Sequence, residues 1–132
     1  MSFNLTIVTP KGLYRSVDVD SLTIRLSSGY RTFLSGHAPL IGSIELGDMH
    51  YVIDGKTTYF AIFSGAINVK KEGIRLLVSS IEEAKDIDVA RANLSKERAL
   101  NRLSQKDINI DVKRAELSLK RALVRLDIAN RK

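Results

Sequence analysis

The sequence predicts a β-rich unit followed by a two-helix hairpin, and three observations carry that prediction. First, the chain changes character near residue 80. All 8 Gly lie at or before Gly73, both Pro at or before Pro39, and every aromatic at or before Phe63. Ala concentrates from Ala84 onward, so turn formers and β-branched residues give way to helix formers. Second, closely spaced turn signals cut the early chain into short apolar stretches. Third, the late chain repeats itself: Ile87-Asp88-Val89-Ala90-Arg91-Ala92 recurs as Ile110-Asp111-Val112-Lys113-Arg114-Ala115. Residues 87–103 and 110–126 share 12 identities in 17 positions.

In order, Asn4 to Thr9 reads as a strand ended by Pro10-Lys11-Gly12. Leu13 to Val19 and Ser21 to Leu26 follow, ended by Ser27-Ser28-Gly29. Tyr30 to Leu34 leads into the loop Ser35-Gly36-His37-Ala38-Pro39. Asp48 to Ile53 and Lys56 to Phe63 flank Asp54-Gly55, a two-residue hairpin signal, because such a turn needs positive φ. Ile67 to Lys70 and Ile74 to Ser79 flank Lys71-Glu72-Gly73. Strands this short and this closely spaced predict a compact antiparallel sandwich or barrel. The unbroken run Tyr59 to Phe63 predicts a strand buried on both faces.

The repeated segments, separated by Ser104-Gln105-Lys106-Asp107, predict two antiparallel helices. Asp86 or Asp88 suits the first N-cap, and Asn109 or Asp111 the second, because a short acceptor satisfies an orphan N–H. At about 100° per residue, Ala92, Ala99, Leu103, Val89 and Leu100 share one face. Arg91, Arg98 and Arg102 form a stripe on another. The second helix sets Ala115, Ala122, Leu126, Val112 and Leu123 against Arg114, Arg121 and Arg125. The small Ala residues would let the helices approach closely. The apolar stripes are thin, so the hairpin would be marginal alone, and docking on the sandwich or leaving it could be close in energy.

Composition excludes several classes. The chain has 132 residues, an apolar share of 44% and a charged share of 27%, as in an ordinary globular protein. With no Cys there are no disulfides, thiol nucleophiles or thiolate metal sites, and 2 His leave little for a transition metal. No apolar run approaches the roughly 18–20 residues that cross a bilayer, and no signal peptide is visible. The net charge of +6 favours anionic partners.

Catalytic motifs are missing. Asp54-Gly55-Lys56-Thr57 superficially resembles a phosphate loop, but His50 stands where its first Gly would fall. His37 reads as loop packing or partner contact, and His50 as a surface or half-buried strand residue. Glu82 and Glu83 are adjacent, so regular structure would splay them apart. The Arg stripes are the sharpest feature, since guanidinium suits phosphate and carboxylate. Three readings stay open from the pattern alone: solvated faces with local ion pairs, a phosphate or acidic-protein site, or a basic hairpin on nucleic acid.

The loop Ser35-Gly36-His37-Ala38-Pro39-Leu40-Ile41, the segment Phe63-Ser64-Gly65-Ala66-Ile67-Asn68-Val69 and the polar hairpin occur here in one order. This order resembles the family of epsilon subunits of bacterial rotary (F-type) ATP synthases, towards its Gram-positive members, over essentially the whole chain. The resemblance implies an antiparallel β-sandwich of about ten short strands over 1–84 and an αα-hairpin over 85–132. It implies a non-catalytic rotor subunit whose sandwich binds the central-stalk gamma subunit and the membrane rotor ring of c subunits, through residues including Tyr30, His37, Pro39 and Leu40. The chain would sit peripherally at the cell membrane, on its cytoplasmic side, meeting the membrane only through partners and binding no nucleic acid. The complex makes ATP on a proton gradient.

The resemblance further implies that the hairpin is a switch. Folded on the sandwich it permits ATP hydrolysis; extended along gamma into the catalytic alpha/beta head it blocks hydrolysis. In some members the folded hairpin binds ATP, as a regulatory ligand with no metal held by the protein, through an Ile/Leu-Asp-x-x-Arg-Ala motif. That motif stands here as Ile87, Asp88, Arg91 and Ala92. Glu82 and Asp88 would place the nucleotide, with Arg91, Arg98, Arg121 and Arg125 as cationic donors. A purely structural rotor subunit without nucleotide sensing is the alternative. One stretch departs from the family: its usual Gly-Glu-x-Gly is Gly29-Tyr30-Arg31-Thr32 here, which implies a different turn.

Overall fold

Alternation of burial dictates the sheet. Phe3, Leu5 and Ile7 are buried while Asn4 and Thr6 are not, and Ile74, Leu76 and Val78 alternate with exposed Arg75, Leu77 and Ser79. The computed structural model describes residues 1–105 and 111–131. Seven strands come first: β1 (Phe3–Thr9), β2 (Gly12–Val19), β3 (Ser21–Leu26), β4 (Gly29–Leu34), β5 (Leu40–Ile53), β6 (Lys56–Lys70) and β7 (Gly73–Glu83). A 3₁₀ turn at Ala84–Asp86 leads to α1 (Val89–Ser104), and α2 (Val112–Ala129) follows.

The strand order is β2-β1-β7-β6-β5-β3-β4. Every neighbouring pair is antiparallel except β1 and β7, which run parallel from Asn4↔Gly73 to Val8↔Leu77. The expected all-antiparallel sheet therefore holds one parallel pair. These two strands lie at opposite ends of the strand sequence, and everything between them serves as the crossover that a parallel pair needs. The β2 edge folds back over the middle of the sheet, where Arg15 Nη1 donates to Tyr51 Oη on β5 at 2.8 Å.

Seven strands do the work of the ten or so short ones expected, because β5 and β6 run 14 and 15 residues. Gly42, Gly47 and Gly65 sit inside them. Gly65 lies where β6 presses on β7: a Cβ there would stand 2.0 Å from the Leu77 carbonyl oxygen. Such a glycine marks a close backbone approach, not a strand end. Asp54-Gly55 does form the expected turn, with φ of 49° and 77°.

The main core draws on all seven strands, with Phe60, Leu5, Ile7, Leu22, Ile24 and Met49 fully enclosed. On β6, four successive residues are buried, Phe60 to Phe63. Phe60 and Ile62 enter this core. Ala61 and Phe63 face the other way, into a smaller cluster with Ala84, Ile87, Ile128 and Ala129. The strand buried on both faces is thus found, and its second face is the dock for the end of α2. The hairpin is folded onto the sandwich.

The loop after β4 is pinned by His37. Its Nδ1 lies 2.8 Å from the Leu34 carbonyl and its Nε2 3.0 Å from the Lys70 carbonyl, with the Phe3 ring edge-on at 5.0 Å.

Truncations should separate the two clusters. Phe60→Ala should cost about 3–5 kcal/mol and lower the urea midpoint of the whole chain. Ile128→Ala should instead accelerate hydrogen exchange in α2 while the strands stay protected. Gly65→Ala should destabilise more than any exposed substitution, because backbone must move.

Candidate functional site

The end of β7 builds the site. Successive strand residues face opposite sides, so Ser80 and Glu82 face one way while Ile81 and Glu83 face the other. Glu82 Oε2 accepts from Arg125 Nε of α2 at 2.7 Å. The Arg125 guanidinium also lies 4.7 Å from the Phe63 ring centre. Glu83, 8% exposed, accepts from Arg15 at 3.0 Å and has Lys85 at 3.4 Å. Burial alone would lower the Arg15 pKa, but hydrogen bonds to Tyr51 and Glu83 outweigh it and hold the group above its ordinary value. Desolvation chiefly raises the neighbouring Tyr14.

Past the 3₁₀ turn each motif residue has a structural task. Ile87 is buried in the docking cluster. Asp88 is the N-cap of α1, its Oδ1 accepting the Arg91 N–H at 3.0 Å. Ala92 is buried between the helices, as are Ala99, Ala115 and Ala122. Asp111 caps α2 in the same way, through the Arg114 N–H at 3.0 Å. The alternative cap Asn109, with Ile110, Lys106 and Asp107, lies outside the described residues. Val89, Leu100, Val112 and Leu123 do not join the Ala face as expected; they are exposed. Only the Ala residues of that face are fully buried, with Leu103 and Leu126 half-buried.

Between β7, the β1–β2 turn and the start of α1 lies a cleft of about 640 Å³. Lys11, Arg91 and Arg125 line it against Glu82, Asp86 and Asp88, with Ser80, Ala92 and Ser95 completing the wall. Glu82, Asp88, Arg91, Ala92 and Arg125 are therefore brought together. Ile87 stands behind the wall as an anchor. Arg98 and Arg121 are exposed and do not line the cleft. At 1.5 Å per residue they lie about 10 Å from Arg91 and about 6 Å from Arg125, measured along the helices. Lys11, Ser80 and Ser95 were missed by the sequence reading. Ser95 follows Asp88 by seven positions and Arg91 by four, one helix face that a wheel would have found. Lys11 reaches the cleft only through the sheet, and no local signal marks it. Among the described residues no cluster of His, Asp and Glu is set to hold a metal, and no helix is long and apolar enough to cross a membrane.

The second candidate surface lies at β4 and the following loop. Tyr30 is 58% exposed and its hydroxyl donates to Asp48, with Arg25 5.8 Å from its ring centre. Pro39 is exposed, Leu40 is half-buried against the core, and His37 has both ring nitrogens engaged within the chain. Leu34 and Ile41, exposed at 60% and 79%, widen this surface and were missed. The turn before Tyr30 runs through Ser27-Ser28, with Gly29 at φ 114°. His50 is half-buried on β5, as expected.

Comparison with known proteins places these features in a family. The model of the ATP synthase, Delta/Epsilon chain, beta-sandwich domain matches residues 2–84, and that of the corresponding long alpha-helix domain matches residues 85–130. The chain is similar to the ATP synthase epsilon chain of Bacillus cytotoxicus, at 39% identity over 99% of this chain and 98% of that one. It is also similar to that of Anoxybacillus flavithermus, at 42% over 98% and 97%. In fold it resembles a chain in the Euglena gracilis mitochondrial ATP synthase (OSCP/F1/c-ring), with TM-score 0.85, 19% identity and coverage of 98% and 81%. It also resembles one in the Tetrahymena thermophila mitochondrial ATP synthase central stalk and c-ring, with TM-score 0.59, 11% identity and coverage of 99% and 96%.

Two measurements test the local geometry. Asp88→Ala should cost about 1 kcal/mol of helix stability and speed exchange in the first turn of α1. The hydrogen bond to Asp48, followed by burial, raises the Tyr30 pKa. The folded chain thus holds this proton more tightly than the unfolded one. Its contribution to stability is full below the ordinary tyrosine value of 10.0 and is lost as pH climbs through the raised value. Alkaline unfolding should accordingly be less steep in Tyr30→Phe.

Proposed function

This chain belongs to the delta/epsilon family of ATP synthase chains, and we propose that it works on the rotor as a non-catalytic epsilon-type subunit whose hairpin is held down by ATP. In this reading the sandwich meets the gamma subunit and the ring of c subunits, with the surface around Tyr30, Pro39 and Ile41 among its contacts. The Tetrahymena neighbour belongs to a central stalk and c-ring assembly, which supports that placement. The complex is membrane-bound, and this chain reaches it peripherally, from the cytoplasmic side. It couples rotation to synthesis and restrains hydrolysis when the hairpin leaves the sandwich for the alpha/beta head.

The single observation behind the switch is the cleft at the hairpin base. Its walls come from the sandwich on one side and from α1 and α2 on the other. A ligand bridging these walls binds the docked arrangement only, so it shifts the population by its full affinity for that state. Among the described residues Lys11 and Arg91 make no ion pair, so both are free to meet phosphate oxygens. Arg125 is shared with Glu82 and orients the cleft while closing it. Asp86 and the remaining oxygen of Asp88 offer acceptors to ribose hydroxyls or a base amino group. Arg98 and Arg121, farther along the helices, would meet only the outermost part of a long ligand. The three carboxylates facing the three cations suit a nucleotide with both donors and acceptors, and they repel a bare nucleic-acid backbone.

Calorimetric titration of the full chain with Mg-ATP and with Mg-ADP tests the reading. ATP should bind saturably and more tightly than ADP, and Arg91→Ala should weaken ATP by about tenfold or more. No saturable heat at millimolar ATP would sink nucleotide sensing and leave a structural rotor subunit. In the assembled complex, deletion of residues 85–132 should raise ATP hydrolysis; unchanged hydrolysis would refute the inhibitory role.

A further inference from the structure

Because Glu82 and Glu83 face opposite sides of β7, a second cavity lies on the Glu83 side. It measures about 460 Å³, and its charge differs from that of the nucleotide cleft. Arg15, Lys56, Lys85 and Arg131 line it against one carboxylate, Glu83. That carboxylate is already committed to Arg15 at 3.0 Å and has Lys85 at 3.4 Å, so two cations share one negative charge. Lys56 makes no ion pair among the described residues. Arg131 alone is answered from outside the cavity, by Asp48 and Asp127, each at 3.2 Å.

Neutral donors complete the wall. The β6–β7 ladder ends at Phe60↔Glu83, whereas β6 remains paired with β5 back to Lys56. From Lys56 to Tyr59 the strand therefore has a partner on one side only. Strand N–H groups point alternately to the two sides, so at least one among Thr57, Thr58 and Tyr59 faces the side without a ladder. Thr57 and Thr58, which face opposite sides of β6, both border the cavity along this open strand edge. Ammonium groups, hydroxyls and an unladdered backbone N–H are the donors that phosphate oxygens take.

We propose that this cavity binds a diphosphate group, carried either by free pyrophosphate or by a nucleoside diphosphate. The site joins β2, β6, the turn after β7 and Arg131, two residues past α2. It is complete only while the hairpin is docked, so its ligand holds the hairpin down independently of the nucleotide cleft.

The test is an NMR titration of the ¹⁵N-labelled full chain with sodium pyrophosphate, and separately with ADP. Pyrophosphate should shift the amides of Thr57, Thr58, Tyr59 and Lys85 to saturation. The exposed pair Lys56→Gln/Lys85→Gln should weaken it about tenfold or more, and Arg91→Ala should leave it unchanged. Lys56→Gln alone, at an exposed turn flank, carries the same test if the double variant melts early. ADP acting on the same amides, with the same loss in the lysine variants, assigns the site to nucleoside diphosphates; pyrophosphate alone assigns it to the free anion. Absence of saturating shifts at millimolar pyrophosphate, shifts confined to Asp88 and Arg91, or unaltered affinity in the lysine variants would overturn the proposal. A chain that binds pyrophosphate here yet ignores ATP would keep this site and lose the nucleotide cleft.

Discussion

Four successive buried residues on β6, Phe60 to Phe63, set the terms for everything else. A strand turns alternate side chains to opposite faces, so such a run needs two apolar partners. The sandwich supplies one, around Phe60 and Ile62. It cannot supply the other, because the remaining strands are already folded around the first. Ala61 and Phe63 are covered instead by Ile87, Ile128 and Ala129, which brings the hairpin onto the sheet. Burying Phe63 and Ile128 is worth about 3–6 kcal/mol before the cost of ordering the hairpin is counted. That is enough to favour docking and small enough for a competing partner to reverse.

Charge refines this dock. Arg125 bonds Glu82 and stacks on Phe63, and Arg131 reaches Asp48. Partly exposed pairs of this kind contribute little net stability. Their geometry is the larger matter, because they fix where the end of α2 lands relative to β5 and β7. Asp48 has a second role, since its other oxygen accepts from Tyr30. One carboxylate thus touches both the docked end of the hairpin and the exposed β4 surface. Two regions that the sequence separates by a hundred residues share a hydrogen-bonding group.

Much of the fold was legible because its signals are local. The change of composition near residue 80, the Asp54-Gly55 turn and the Asp88 and Asp111 caps are decided within a few residues of themselves. The strand count was not legible, because Gly65 falls between two stretches read as separate strands while it serves a close backbone approach inside β6. The parallel pairing of β1 with β7 leaves no mark on either strand. The helix wheel found the Ala contacts but overstated their width. The site was legible only in part, and the internal repeat shows why. Asp111, Arg114 and Ala115 reproduce Asp88, Arg91 and Ala92 down to the capping hydrogen bond. Yet the second copy begins α2 at the far end of the hairpin, while the first begins beside β7. The motif by itself therefore specifies a helix start. What turns one copy into a cleft is the neighbouring sheet, with Glu82, Ser80 and Lys11, and that neighbourhood is written in the topology.

The two cavities follow from the same alternation that built the dock. Glu82 faces the side where α1 and α2 leave the sheet, and its surroundings are balanced in charge. Glu83 faces the side where β2 folds over, and cations outnumber its single carboxylate. Both walls include a residue from the end of the hairpin, Arg125 in one and Arg131 in the other. Anything that fills either cavity therefore favours the docked state. On the hairpin, Val89, Leu94, Leu100, Val112, Leu117 and Leu123 are exposed even while it is docked. The sandwich does not cover these side chains. A ligand at the base would favour docking, and a chain covering these exposed residues would favour release. A dock worth only a few kcal/mol is small enough for either to prevail.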